Sequence, residues 1–149
     1  MFIDEDDYAY YDWFDFESDI LDIEEEFLAE APHVVAVYRG SLPAAVKLSN
    51  AYENGMSIIR FQTRDGDDKT PEWIINEIPK EGKILIVDDI YDTGHTLEKI
   101  KEFLEPEYGN RLLFACLTIN ETVGKPESMA GLVHTYRQTH GSWVRFPWE

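Results

Sequence analysis

Apolar residues are distributed along the chain in two patterns: continuous runs typical of buried strands, and a spacing of three or four residues typical of helices. Four short apolar runs have the continuous character of strands that are covered on both faces. These strand candidates are residues 33–38, 57–62, 83–87 and 111–118. The spacing of apolar residues predicts helices at 42–54 and 97–104, and Pro106 and Gly109 are expected to end the second helix. The pattern predicts an α/β fold, with an open, mostly parallel twisted sheet flanked by helices.

The N-terminal residues have a different pattern. Residues 1–12, called the arm below, mix acids with tyrosines at no clear period and are predicted to be irregular. A helix is expected to follow, capped by Asp12 or Asp15. Its apolar face is formed by Phe16, Ile20, Ile23 and Phe27 and is widened by Leu21 and Leu28. The acids opposite this face predict a solvated surface.

Two later stretches lack a regular pattern. Residues 63–80, called the lid below, include Asp65-Gly66-Asp67-Asp68 and form a long connection of the kind that often covers a site. Residues 119–149 are expected to be irregular apart from a strand at 132–137. The length of 149 residues predicts one domain.

Composition and charge limit the possible partners and the expected location of the protein. With 30 acidic and 13 basic residues the formal charge is -17, which argues against nucleic acid and anionic membranes as partners. Residues 1–30 hold 13 of the acids and no base, so the rest of the chain is nearly balanced. The single cysteine, Cys116, lies in an apolar run and is expected to be a buried thiol. Without a signal-peptide pattern or a membrane-length apolar run, the chain is expected to be cytoplasmic.

The residues after the third strand candidate carry the chemistry. Asp88 and Asp89 are adjacent carboxylates at a strand end, and either a hard cation such as Mg²⁺ or a ribose diol would offset their repulsion. Thr93-Gly94-His95-Thr96 follows at a helix start, where hydroxyls and free backbone amides suit a phosphate. Ligands bind at this end of open α/β sheets. Together these residues predict a site for a phosphorylated sugar.

The same stretch resembles a known motif. Ile84 to Thr96 combines an apolar strand, two acids, two variable residues and Asp-Thr-Gly-x-Thr. It thereby resembles the phosphoribosyl-pyrophosphate motif of the type I phosphoribosyltransferases. Val37 to Ala44 is similar to the family's diphosphate loop, and the lid lies where the family has a flexible loop. Residues 143–148 resemble the base-covering hood of small purine (hypoxanthine, guanine or xanthine) phosphoribosyltransferases.

This resemblance implies Mg²⁺-dependent transfer of the phosphoribosyl group from phosphoribosyl pyrophosphate to a purine base, most directly a 6-oxopurine, in purine salvage. Asp88 and Asp89 would hold the ribose and the metal, directly or through water, and Asp92 would accept a proton. The other implied contacts are Thr93, Gly94, His95 and Thr96 for the 5′-phosphate, Arg39 and Gly40 for the diphosphate, and Trp143, Val144 and Asn120 for the base. The implied division is an acidic arm and helix at 1–30, a core at 31–118 and a hood at 119–149.

The resemblance leaves several points open. In 6-oxopurine members a lysine recognises the exocyclic oxygen, whereas this sequence has Asn120 there and Lys125 as the nearest replacement. An asparagine both donates and accepts, so it suits an oxo or an amino group. Trp143 is predicted to stack on the base and Trp148 to be a core aromatic. His95 is expected to act through its backbone amide.

A second function remains open beside catalysis. A non-catalytic member of the fold could sense nucleotides or phosphoribosyl pyrophosphate and regulate a partner. The intact Asp88, Asp89 and Asp92 favour catalysis, because a sensor need not keep every acid. Family members are commonly homodimers or tetramers, and the sequence does not decide between these states.

Overall fold

A computed structural model of the chain describes residues 1–64 and 66–149. Its α-helices are α1 (Trp13–Glu26), α2 (Leu42–Tyr52) and α3 (His95–Tyr108). Its first strands are β1 (Phe2–Ile3), β2 (Tyr8–Tyr10), β3 (His33–Val37), β4 (Met56–Arg60), β5 (Thr63–Arg64) and β6 (Asp67–Asp68). The later strands are β7 (Glu72–Ile75), β8 (Ile84–Tyr91), β9 (Leu112–Ile119), β10 (Val133–His134) and β11 (Trp143–Arg145).

The main sheet confirms the predicted fold class. Its six strands lie in the order β10-β9-β8-β3-β4-β7, and every pair is parallel except β4 with β7. Helices cover both faces, because neighbouring residues of β3 belong to different core clusters: Val34 packs with α1 and α2, and Val35 packs with α3. Cys116 lies in the second cluster and is buried as expected, and burial raises the pKa of its thiol.

The lid contains more regular structure than its sequence predicts. β5 and β6 pair as an antiparallel hairpin, and β7 forms the antiparallel edge of the main sheet. The predicted long connection therefore contains three short strands that its sequence pattern does not predict. β7 has four residues with mostly exposed side chains, so it shows no buried period along the sequence. Asp65, which belonged to that prediction, lies outside the described residues.

The first helix confirms part of its prediction. Asp12 is the N-cap, and it forms a capping box with Asp15. The four residues predicted for its apolar face, Phe16, Ile20, Ile23 and Phe27, are buried. Leu21 and Leu28 are 55% and 59% exposed, so the wider apolar face is wrong. At the end of α3, Pro106 lies inside the last turn and Gly109 is the C-cap. Of the two residues predicted to end this helix, only Gly109 does so.

The arm forms two strands of a small second sheet. β2 pairs with β1 on one side and with β11 on the other, giving the order β1-β2-β11. The prediction of an irregular arm is wrong, because strands of two and three residues are too short to show a period.

The strand expected at 132–137 is formed only by the two residues of β10. Of the helices in the described residues, none is long and apolar enough to cross a membrane.

Candidate active site

The predicted chemistry lies at the carboxyl ends of the parallel strands. β8 continues through Asp88 and Asp89 to Tyr91, so both carboxylates lie in its carboxyl-terminal half. Gly40, in the loop after β3, lies directly against the second of them. A Cβ atom built on Gly40 would lie 2.0 Å from Asp89 Oδ2 and 2.8 Å from its Cγ. Only glycine allows the loop to approach the carboxylate this closely.

Asp88 is a buried carboxylate, 9% exposed. Its Oδ1 accepts the backbone N–H of Asp89 at 2.8 Å, and Asp89 Oδ1 accepts the N–H of Ile90 at 2.8 Å. Burial, together with the negative charge of Asp89, raises the pKa of Asp88 well above the usual range. The ionised pair is therefore costly by itself and would be stabilised by a cation or by hydroxyl donors.

Replacing Asp88 with asparagine should stabilise the ligand-free protein. A carboxyl whose pKa is raised by folding contributes stability in acid and loses it as the pH rises through the folded-state pKa. At pH 7.5 the substitution should add about 1–2 kcal/mol, or roughly 2–8 °C in Tm, and this gain should shrink as the pH is lowered toward about 4. Differential scanning calorimetry across this pH range tests it, with the exposed Asp22→Asn as the matched control. A lower Tm for Asp88→Asn at pH 7.5 would contradict the expectation.

Residues 93–96, the predicted phosphate-binding loop that is called the phosphate loop below, follow the two carboxylates. Gly94 is the N-cap of α3 with a φ of 84°, and a Cβ there would lie 2.7 Å from Pro126 and 3.0 Å from the ring of Tyr91. Thr93 Oγ1 accepts the N–H of His95 at 3.3 Å. Residues 88 and 90–97 line a cavity of about 50 Å³ here. A small cavity at the amide end of a helix is suited to an anion.

His95 makes a contact that its sequence position does not reveal. Its Nε2 lies 2.9 Å from Asp68 Oδ1 in the lid, and its ring packs edge-on against Phe61. The imidazole therefore links the lid to the phosphate loop. The sequence suggests only a role for the backbone amide, because Asp68 lies 27 residues earlier in the chain.

Asn120, at the carboxyl end of β9, is joined to the catalytic candidate Asp92. Its Nδ2 donates to Asp92 Oδ1 at 2.8 Å, while its Oδ1 accepts the N–H and the hydroxyl of Thr122 at 3.2 and 2.6 Å. These contacts fix which end of the amide faces which neighbour. Both lone pairs of Oδ1 are used, so the group that Asn120 still offers to a ligand is an N–H donor.

Lys125 supports the turn that follows Asn120. Its Nζ donates to the carbonyl oxygens of Asn120 and Val123, both at 2.6 Å, and lies 5.3 Å from the centre of the Tyr91 ring. The ammonium of Lys125 thus binds the backbone of the turn, whereas the side chain of Asn120 binds Asp92.

β11, which lies in the predicted hood, begins beside this turn. The backbone N–H of His140 donates to Glu121 at 3.1 Å, and a Cβ on Gly141 would lie 3.3 Å from Thr122 Oγ1. Two residues later Trp143 is 71% exposed, while Val144 is buried in the core. Trp148 packs against Tyr11, Trp13, Phe16 and Phe146 and is the core aromatic that the sequence predicts.

The model of one protein family, the phosphoribosyl transferase domain, matches residues 10–149. The chain belongs to the phosphoribosyl transferase family. This confirms the resemblance drawn from the central motif. A search of curated proteins found no match to this phosphoribosyltransferase.

Solved structures of phosphoribosyltransferases have the same fold. The purine phosphoribosyltransferase of Pyrococcus horikoshii is 28% identical, with a TM-score of 0.77 and coverage of 96% of this chain and 94% of that chain. The xanthine-guanine-hypoxanthine phosphoribosyltransferase of Helicobacter pylori is 22% identical, with a TM-score of 0.74 and coverage of 95% and 94%. The adenine phosphoribosyltransferase of Rhodothermus marinus is 22% identical, with a TM-score of 0.67 and coverage of 83% and 78%.

The described acids of this phosphoribosyltransferase do not form a metal site by themselves. Among residues 1–64 and 66–149, no group of three or more His, Cys, Asp or Glu side chains could hold a metal ion. Asp88 and Asp89 do supply hard carboxylate oxygens, and the raised pKa of Asp88 shows that its ionised form is costly in this buried position. Mg²⁺ commonly takes one or two carboxylates and completes its shell with water and substrate phosphates. The donor set fits a metal that binds together with a phosphorylated substrate.

The structure brings together most of the predicted site residues of the phosphoribosyltransferase, but not all. Gly40 meets Asp89, and Asp92 meets Asn120. Arg39 is exposed on the turn between β3 and α2, and its contact with diphosphate stays a prediction. Sequence reasoning missed Thr122 and the arm strand β2, whose partners are fixed only by folding.

Proposed function

We propose that this protein transfers the phosphoribosyl group of phosphoribosyl pyrophosphate to a 6-oxopurine base, giving a nucleoside monophosphate and diphosphate, in purine salvage. The observation that carries the proposal is the continuous strand, loop and helix from Asp88 to Thr96. It brings two carboxylates next to a helix start whose free backbone amides suit an anion. The similarity to purine phosphoribosyltransferases supports the choice of a purine.

The substrate would bind along this loop. The 5′-phosphate would contact Thr93, Gly94, His95 and Thr96 at the start of α3, and the ribose hydroxyls would contact Asp88 and Asp89. The diphosphate would lie toward Arg39 and Gly40. Mg²⁺, held by Asp88 and Asp89 directly or through water, would neutralise charge on the diphosphate and ribose oxygens. Asp88→Asn should then weaken phosphoribosyl pyrophosphate binding while it stabilises the ligand-free protein.

In the reaction, the bond between ribose C1 and the diphosphate oxygen breaks and a bond from C1 to a base nitrogen forms. The electron pair of the broken bond leaves with diphosphate, and the proton of the base nitrogen goes to the Asp92 carboxylate. Asn120 holds one oxygen of this carboxylate at 2.8 Å, which leaves the other oxygen for the base. The residues mainly position the reactants and exclude water.

Asn120 supports a 6-oxopurine over adenine. Since Thr122 occupies both lone pairs of its side-chain oxygen, Asn120 presents an N–H donor, which suits an exocyclic oxygen and not an amino group. This contact favours the donor function of Asn120 over its acceptor function. Trp143 would stack on the base, and the backbone of Val144 would contact its edge.

Asn120→Leu should lower the preference for 6-oxopurines. Loss of the support to Asp92 reduces the rate with every base, whereas loss of the donor reduces only the rate with oxo bases. The ratio of kcat/KM for hypoxanthine to that for adenine should fall roughly five- to tenfold, because one such hydrogen bond contributes about 1–1.5 kcal/mol. Initial-rate measurements with both bases give this ratio, and Asn110→Leu, in a turn at the other end of the sheet, is the control. An unchanged ratio would mean that Asn120 does not contact the base.

The proposed function is tested by mixing the protein with phosphoribosyl pyrophosphate, Mg²⁺ and one base at a time. Diphosphate and nucleoside monophosphate should appear in equal amounts with hypoxanthine, guanine or xanthine. Absence of turnover with every purine, pyrimidine and pyridine base would overturn the proposal. Tight binding of phosphoribosyl pyrophosphate without turnover would instead favour the non-catalytic sensor.

A further inference from the structure

The acidic arm is joined to the hood by a strand ladder. β2 lies parallel to β11 in the register Tyr8 with Trp143, Ala9 with Val144 and Tyr10 with Arg145. Two further backbone bonds extend the ladder at its ends: the N–H of Trp143 donates to the carbonyl of Asp7, and the N–H of Tyr11 donates to the carbonyl of Arg145, both at 3.0 Å. In the described part of the chain, β2 is the strand partner of β11.

Side chains on the two faces of this ladder have different surroundings. Ala9 and Val144 point into the core and are buried. On the other face, the guanidinium of Arg145 lies 4.2 Å from the centre of the Tyr8 ring, which is a close cation–π contact. Trp143 belongs to this second face. Tyr8, Trp143 and Arg145, with Asp6, Asp7 and Gly141, line a cavity of about 540 Å³.

Some acids of the arm have a structural role in β2. Asp4 Oδ1 accepts the N–H groups of Asp6 and Tyr8 at 3.0 and 2.9 Å, and Asp4 Oδ2 accepts the hydroxyl of Tyr10 at 3.0 Å. These bonds close the turn between β1 and β2. They lie within the arm and hold in place β2, the strand with which β11 pairs.

We propose that β2 of the arm is a positioning element of the base site, holding β11 and its exposed Trp143 in place before the base binds. The inference rests on the proposed function and adds a part of the chain that lies outside the recognised motifs. A three-residue strand is not stable by itself. Without β2, binding of the base would also have to order β11, and that conformational entropy would weaken the affinity for the base. The phosphate loop is built on β8 and α3, so the affinity for phosphoribosyl pyrophosphate should not depend on β2.

The test compares two Michaelis constants in full-length variants. Tyr8→Ala should raise the KM for the base about five- to tenfold and leave the KM for phosphoribosyl pyrophosphate within twofold. Tyr8→Phe keeps the ring under Arg145 and should behave like the wild type. Tyr108→Ala is the matched control, because it removes a similar arginine–tyrosine contact at the far end of α3 and should change neither constant.

A double variant tests whether Tyr8 acts through Arg145. If it does, Tyr8→Ala combined with Arg145→Met should have a KM for the base no higher than that of the worse single variant. Equal rises in both Michaelis constants, or no rise in the KM for the base, would overturn the inference while wild-type turnover leaves the proposed function intact.

Amide hydrogen exchange gives a readout that does not need activity. The amide of Trp143 should be protected in the wild type and should exchange at least tenfold faster in Tyr8→Ala. If the wild type turns over no base, the proposed function fails, and exchange still tests whether β2 holds β11 in place. Unchanged protection of Trp143 in Tyr8→Ala would then overturn it.

Discussion

Asp92→Asn is expected to lower kcat about 100-fold or more, with little change in the KM for phosphoribosyl pyrophosphate. The asparagine has nearly the same shape, and its Oδ1 can still accept the hydrogen bond that Asn120 donates to Asp92 at 2.8 Å. The turn should therefore keep its conformation. What the variant loses is the ability to accept the proton from the base nitrogen, which affects the transition state and not the binding of the ribose.

Steady-state kinetics with a saturating 6-oxopurine measures this effect, and a Tm within 2–3 °C of the wild type would show that folding is preserved. Asp22→Asn, on the exposed face of α1, makes the same chemical change away from the loops and should leave kcat unchanged. Unaltered kcat in Asp92→Asn would remove Asp92 from the proton-transfer role.

Gly40→Ala is expected to raise the KM for phosphoribosyl pyrophosphate at least tenfold and to lower kcat/KM about 100-fold. The new methyl group would lie 2.0 Å from Asp89 Oδ2, so either the carboxylate must rotate or the loop must move. Both changes displace groups that are proposed to hold the ribose and the diphosphate. Displacements of about 1 Å in such groups can cost two orders of magnitude in rate.

Gly124→Ala is the matched control, because a Cβ on Gly124 meets no atom within 4 Å. It should leave both constants unchanged. The clash should also lower Tm. Adding Asp89→Ala to Gly40→Ala removes the clash and should raise Tm again without restoring activity. Wild-type kinetics in Gly40→Ala would show that Asp89 moves freely and that its position does not limit the reaction.

The two substitutions separate the two halves of the proposed site. In the proposed site, Asp92, which is linked to Asn120, would contact the base, and Gly40 with Asp89 would contact the ribose and the diphosphate. A kcat effect for the first and a KM effect for the second would support this division.

The sequence by itself determined the four central parallel strands of the main sheet, because strands buried on both faces must be continuously apolar and the helices between them must repeat every three to four residues. It also determined the motif from Asp88 to Thr96, since a strand, a loop and a helix start that are adjacent in the chain stay adjacent in space. The buried thiol of Cys116 follows from the same local pattern.

Only the tertiary structure decided how distant segments meet. The pairing of β2 with β11 joins residues near opposite ends of the chain, and strands this short have no period to predict. The donor character of Asn120 depends on Thr122 and Asp92, whose hydrogen bonds exist only once the β8 and β9 loops are adjacent. The charge concentrated in residues 1–30 is partly structural, because Asp4, Asp12 and Asp15 accept backbone hydrogen bonds that shape the arm and start α1. The sequence shows where the acidic residues lie in the chain, but folding determines which hydrogen-bond donors they meet.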